Sequence, residues 1–209
     1  MTNLDLKKYK NIIFDLGGVI LNIDYNLTVE AFKKLGLKDF QNLYSQASQS
    51  NLFDAYEVGN ISSEKFIDEL QHTVGMNISK QSIIEAWNSM LLDLPKERIE
   101  LLTRLKTKYK TYLLSNTNEI HKIAYCNYLK NTYKFNDFST FFEKQYLSFE
   151  IGMRKPNKEI FEFVVNENKL KKEETLFIDD SIQHVIGARE MGLDAFHLNN
   201  GLTILDLFK

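Results

Sequence analysis

Two acidic positions in this sequence stand where chemistry could be done. Asp15 closes the apolar run Ile12-Ile13-Phe14 and is followed at once by Leu16-Gly17-Gly18-Val19, while Asp179 and Asp180 close Leu176-Phe177-Ile178. A short apolar run that ends in a carboxylate and a glycine-bearing turn reads as a buried strand delivering an acid into a flexible loop, where a nucleophile or a metal ligand is useful. Carboxylates gathered at the open end of a sheet repel one another unless something positive sits among them. The simplest such partner is a divalent cation with oxygen ligands. A turn cap for Asp15 and a helix-start cap for Asp179-Asp180-Ser181 are the plainer readings. The Gly17-Gly18 turn and the second acidic strand end weigh against the plain reading of Asp15.

Four stretches together carry a resemblance. Phe14-Asp15-Leu16-Gly17-Gly18-Val19-Ile20, Leu114-Ser115-Asn116-Thr117-Asn118, Gly152-Met153-Arg154-Lys155-Pro156 and Phe177-Ile178-Asp179-Asp180-Ser181 resemble, in order and spacing, the four motifs of the haloacid dehalogenase superfamily of phosphohydrolases. Within it the chain looks most like bacterial sugar-phosphate phosphatases of the glucose-1-phosphate phosphatase type. The resemblance implies a Rossmann-like parallel sheet with an inserted helical cap, an aspartyl-phosphate formed on Asp15, and Mg²⁺. It also implies metal ligation by Asp15, the Gly17 carbonyl, Asp180, and Asp179 directly or through water. Lys155, the lysine before the proline, is preferred over Arg154 as the group that stabilises the phosphoryl charge; Arg154 reads as a solvated charge.

Ser115 and Asn116 follow the run at 112–114, where a hydroxyl and neighbouring backbone N–H groups can bind phosphate oxygens without adding charge. In isolation the pair is a common turn. His184, four residues after Asp180, reads as a hydrogen-bonded structural histidine, and His72, His121 and His197 lack a metal-binding spacing.

Gly17 departs from the pattern. Most phosphatases of the superfamily carry a second Asp there, which protonates the leaving oxygen and later activates water, help worth ~10²–10⁴-fold. Asp24 is the nearest acid in sequence and suits a cap before Asn26-Leu27-Thr28 equally well. Three functions follow: an Mg²⁺-dependent phosphatase of a small phosphorylated metabolite such as a sugar phosphate; a phospho-ligand binding protein weakened by Gly17; and a metal-free dehalogenase. The adjacent pair Asp179-Asp180 argues against the last.

The elements that must position these residues are short apolar runs at 12–14, 112–114, 176–178 and 195–198, which suit parallel strands covered on both faces. Helical segments alternate with them. Pro95 opens a helix over 96–105 with Ile99, Leu102 and Leu105 on one face, and Pro156 does the same for 159–165. Strands alternating with helices predict an α/β sheet with right-handed crossovers. Residues 25–94 break the alternation with helices at 28–35, 63–73 and 80–91, separated by Gly36, Gly59 and Gly75. A core of 1–24 and 95–209 with a cap of 25–94 is therefore expected, with hinges near 22–26 and 93–95. Cap residues in the stretch 53–60 are candidates for lining the pocket.

A chain of 209 residues, 44% hydrophobic and 26% charged, can bury a full core, which excludes disordered and fibrous classes. A net charge of -2 gives no electrostatic reason to expect nucleic acid and favours a small-molecule partner. The only cysteine, Cys126, permits no intrachain disulfide and reads as a plain, at least half-buried thiol. The polar stretch 1–10 fits neither a signal nor a transit peptide, and no apolar run approaches a membrane span. A soluble, cytoplasmic protein is expected.

Overall fold

In the computed structural model, which describes residues 5–37, 40, 44, 51–199 and 201–209, the first apolar run forms β1 (Asn11–Phe14), with all four residues buried. Residues 1–4 of the polar N-terminal stretch lie outside the described residues. With β2 (Lys110–Ser115), β3 (Lys144–Leu147), β4 (Thr175–Asp179) and β5 (Asp194–His197) it builds a parallel sheet in the order β3-β2-β1-β4-β5. β1 is central, Phe14 standing opposite Leu113 on one side and Ile178 on the other. Alternate side chains point to opposite faces. Ile12 and Phe14 join Leu113, Leu176 and Ile178 in one apolar layer, and Ile13 joins Tyr112, Leu114 and Phe177 in the other.

Between β1 and β2 the chain forms α1 (Tyr25–Lys34), α2 (Asn51–Glu57), α3 (Ser63–Val74) and α4 (Lys80–Asn88). These helices bury a core of their own around Phe32, Phe53, Tyr56, Phe66 and Trp87. Large rings suit a helical unit without a sheet, because each removes much area from water. The Tyr56 and Phe66 rings stack with centroids 4.1 Å apart. The two connections into this unit run side by side. Asn22 N donates to Asp93 O (2.9 Å), Leu92 N to Asn22 O (3.0 Å) and Asp24 N to Met90 O (2.9 Å). After α2 the chain turns at Gly59, whose φ is +72° and where a Cβ would fall on the Phe149 carbonyl, so only glycine allows that approach.

The sheet is covered by α5 (Lys96–Leu105) and α6 (Glu119–Tyr133) on the Phe14 face and by α8 (Lys158–Glu167) and α9 (Ile182–Glu190) on the Ile13 face. Short α7 (Ser148–Ile151) follows β3 and α10 (Ile204–Leu207) closes the chain. Among the described residues no helix is long and apolar enough to cross a membrane.

Three sequence expectations need correction. Strand β3 was absent from the apolar runs because, at the edge of the sheet, Lys144 is exposed and only Tyr146 and Leu147 are buried. Pro95 is the N-cap of α5, one residue before its first turn. Pro156 lies two residues before α8, in the turn that precedes the N-cap Asn157.

Candidate active site

The strand order reverses direction at β1, and the crevice outside the carboxyl ends at such a point is where open α/β sheets bind ligands. Asp15, Ser115 and Asp179 all emerge there, from β1, β2 and β4. Asp15 N still donates to Ile178 O (2.9 Å), and the chain then curls so that Leu16 O accepts from Ile20 N (2.9 Å) and Leu21 N (2.8 Å). Inside that curl Gly18 has φ +73°, and a Cβ on it would fall on the Asp180 carboxylate. Glycine here makes room for an acid.

Lys155 is fully buried at the centre. Its Nζ donates to Asp15 Oδ1 (2.6 Å), Asp179 Oδ2 (2.7 Å) and Leu114 O (2.9 Å), which uses every proton of the ammonium. Its backbone is held by Asn116, whose Nδ2 donates to Lys155 O and whose Oδ1 accepts from Lys155 N, both at 2.9 Å. The Asn116 carboxamide is thus a clamp on Lys155. The neighbouring turn is fixed by Ser148, whose Oγ accepts from Thr117 N and donates to Thr117 O, each at 2.9 Å.

Asp15, Asp179 and Asp180 each place a carboxylate oxygen within 4.8 Å of the others. Burial raises the Asp15 carboxyl to about 7, helped by the charges of Asp179 and Asp180 against the opposing pull of Lys155. Asp180 rises to about 6, through burial and the Asp179 charge. Burial also works on Asp179, but Lys155 and His184 overcome it and hold the acid at about 2. Burial would lower Lys155, yet Asp15 and Asp179 keep it above the usual lysine value. Asp179 is saturated, since its Oδ1 accepts from Ser181 N (2.8 Å) and faces His184 Nδ1 at 3.0 Å. Two acids whose charged forms are disfavoured, with hard oxygen donors this close, fit a divalent cation such as Mg²⁺.

Above the acids a cavity opens towards the helical unit, with Tyr25, Tyr44, Glu57 and Arg154 on its wall. Arg154 is not the solvated charge expected from sequence. Its guanidinium pairs with Asp54 and, through Nε, with Glu57 Oε2 (2.7 Å), both on α2, so it ties that helix to the loop that carries Lys155. Nothing in sequence but its adjacency to Lys155 marked it. Burial pushes the Tyr25 and Tyr44 phenols well up, so both stay neutral. Asp24 is the N-cap of α1, its Oδ1 accepting from Asn26 N (2.9 Å). Cys126 is half-buried and burial raises its thiol.

The profile of the haloacid dehalogenase-like hydrolases matches residues 9–192. A D-ribitol-5-phosphate phosphatase of Bacteroides thetaiotaomicron is 32% identical over 194 residues, spanning 92% of this chain and 93% of that protein. A haloacid dehalogenase family enzyme from the same organism, solved as an aspartate-to-alanine variant with magnesium and inorganic phosphate, superposes with a TM-score of 0.90 at 36% identity over 96% of this chain and 99% of that one. A haloacid dehalogenase-like hydrolase of Porphyromonas gingivalis gives a TM-score of 0.83 at 31% identity, covering 93% of each chain.

Proposed function

Because the chain belongs to the haloacid dehalogenase-like hydrolases, we propose that it is an Mg²⁺-dependent phosphatase of small sugar or polyol phosphates with Asp15 as its nucleophile. The observation that carries this reading is the convergence of Asp15, Asp179 and Asp180 around a fully buried Lys155 at the carboxyl ends of β1 and β4.

One Asp15 oxygen is bonded to Lys155, and Oδ2 is the atom that attacks phosphorus as the bond to the leaving oxygen breaks, that oxygen taking a proton from water to leave as the alcohol. The product on the enzyme is an aspartyl-phosphate, from which water takes the phosphoryl group as inorganic phosphate and returns the carboxylate. Lys155, its protons already engaged, offsets the charge of Asp15 and Asp179, so that its field favours the negative charge of the transferring group. Since the Asn116 carboxamide is spent on Lys155 and the Thr117 N–H on Ser148, the phosphate is met by the Ser115 hydroxyl and the Asn116 main-chain N–H. A bound Mg²⁺, held by Asp15, Asp180, the Gly17 carbonyl and Asp179 directly or through water, would draw charge from the phosphate and lower the pKa of the acids it touches. Asp180 is the better placed of the adjacent pair, because it makes no ion pair among the described residues and Asp179 is already saturated. Residues 25–94 would form the cap and residues 1–24 with 95–209 the core.

The test is a panel of phosphorylated sugars, polyols and an aryl phosphate, each assayed with Mg²⁺ and with chelator. Release of inorganic phosphate is expected with Mg²⁺ alone. No release from any of them, or undiminished release in chelator, would overturn the reading.

A further inference from the structure

Helix α6 carries two polar atoms that this reaction does not use. His121 and Tyr125 stand one turn apart, 6% and 4% exposed, and both line the cavity over Asp15. Neither the His121 Nε2 nor the Tyr125 hydroxyl has a hydrogen-bond partner among the described residues. Buried polar atoms are nearly always bonded, so two orphans on one cavity wall mark where the polar groups of a ligand belong.

The His121 ring is held in place. It stacks on Trp87 with centroids 4.9 Å apart and planes 14° from parallel, and its Nδ1 lies 2.9 Å from Asn88 Oδ1. With that amide oxygen as acceptor, Nδ1 carries the proton and Nε2 presents a bare lone pair. Burial keeps the ring neutral by lowering its pKa to about 3. The phenol of Tyr125 can donate or accept.

These two atoms define a ligand chemistry. An aliphatic hydroxyl can donate to Nε2 and also exchange a hydrogen bond with the phenol, whereas a carbonyl could serve only the phenol and an alkyl group neither. Leu21, Ile23, Met90 and Leu91 line the same cavity and offer apolar surface to a carbon chain. We infer that His121 and Tyr125 form a hydroxyl-reading subsite that selects the phosphate ester of a polyhydroxylated chain over that of a plain alkyl chain. The inference rests on the phosphatase reading, since that ester is its substrate.

The test compares D-ribitol 5-phosphate with n-pentyl phosphate, with Mg²⁺, in the wild type, Tyr125→Phe and His121→Phe, alongside thermal melting. The ratio of kcat/KM for the two esters should fall about tenfold in each variant, mainly through KM for the polyol ester. Melting of Tyr125→Phe should not drop, because the substitution removes only an unbonded hydroxyl; a structural role would lower melting and move both esters alike. A ratio within about twofold of wild type in Tyr125→Phe, while pentyl phosphate is still hydrolysed, overturns the subsite and leaves the phosphatase reading standing. If the wild type hydrolyses neither ester nor any other phosphate, the phosphatase reading falls and takes the subsite with it.

Discussion

Lys155 Nζ lies 2.6 Å from Asp15 Oδ1 with both residues buried, so the acid that ends β1 is bound to a cation delivered from a loop 140 residues away. The same ammonium reaches Asp179 at 2.7 Å. Removing one partner of a buried ion pair strands the other, at a cost of roughly 3–5 kcal/mol. The acids therefore differ in what their loss should do.

Asp15→Asn should lower turnover by more than about 10³-fold while the protein melts no lower than wild type. The Asp15 carboxyl is raised from 3.8 to about 7, so its ionisation opposes folding near neutrality and its loss is offset, while Lys155 keeps Asp179 and the Leu114 carbonyl. Aryl phosphate hydrolysis and a melting curve check this. Retained turnover would remove Asp15 as the nucleophile.

Asp180→Ala should weaken Mg²⁺ binding more than Asp179→Ala, and Asp179→Ala should cost more stability, roughly 3–5 kcal/mol. Asp179 bonds Lys155, Ser181 N and His184, whereas Asp180 stands beside Gly18 without an ion pair among the described residues. Titration calorimetry and denaturant unfolding of the two variants give the order. The reverse order in calorimetry would reassign the ligand.

Gly17→Asp should raise turnover of alkyl phosphates by up to ~10²-fold and change aryl phosphates little, because only poor leaving groups need the proton. Gly17 is not among the positive-φ glycines, and the obstacle to a side chain is Ile23 Cδ1, 2.9 Å from where a Cβ would stand. Ile23→Val in the same chain removes that methyl and should enlarge the effect. An equal change on both ester types would show that the new acid does not protonate the leaving group.

His121 makes stability depend on pH. Its folded pKa of about 3 lies below the ordinary 6.5, so between these values the unfolded chain binds a proton that the folded chain refuses. The sign is a loss of stability as pH falls below 6.5, at about 1.4 kcal/mol per pH unit from this group. Denaturant unfolding at pH 6.5 and 4.5 should show wild type losing about 2 kcal/mol more than His121→Phe. Equal losses would mean that the ring takes up its proton in the folded state.

The strand ends were legible in the sequence because β1, β2 and β4 are covered on both faces and so read as unbroken apolar runs; each then stops at a polar residue that cannot be buried alone. β3 was not, since an edge strand half open to water mixes Lys144 and Gln145 with Tyr146 and Leu147. Lys155 could be picked out by its motif, but its threefold bonding could not. Arg154 shows the limit most clearly: its partners Asp54 and Glu57 lie about a hundred residues away on α2, and no local pattern announces a pairing across that distance. His121 and Tyr125 were hidden for a similar reason, because their meaning lies in bonds they do not make.

The central position of β1 also sets a timescale. Asp15 N is bonded to Ile178 O, and β1 has a strand on each side, so its amides can meet solvent only when the sheet itself comes apart. In hydrogen exchange the amides of Ile13, Phe14 and Asp15 should be among the slowest of the chain and those of β3 and β5 faster; rapid exchange at Asp15 would contradict this. The carboxylate proposed as the nucleophile is thus carried by a strand that is paired on both sides.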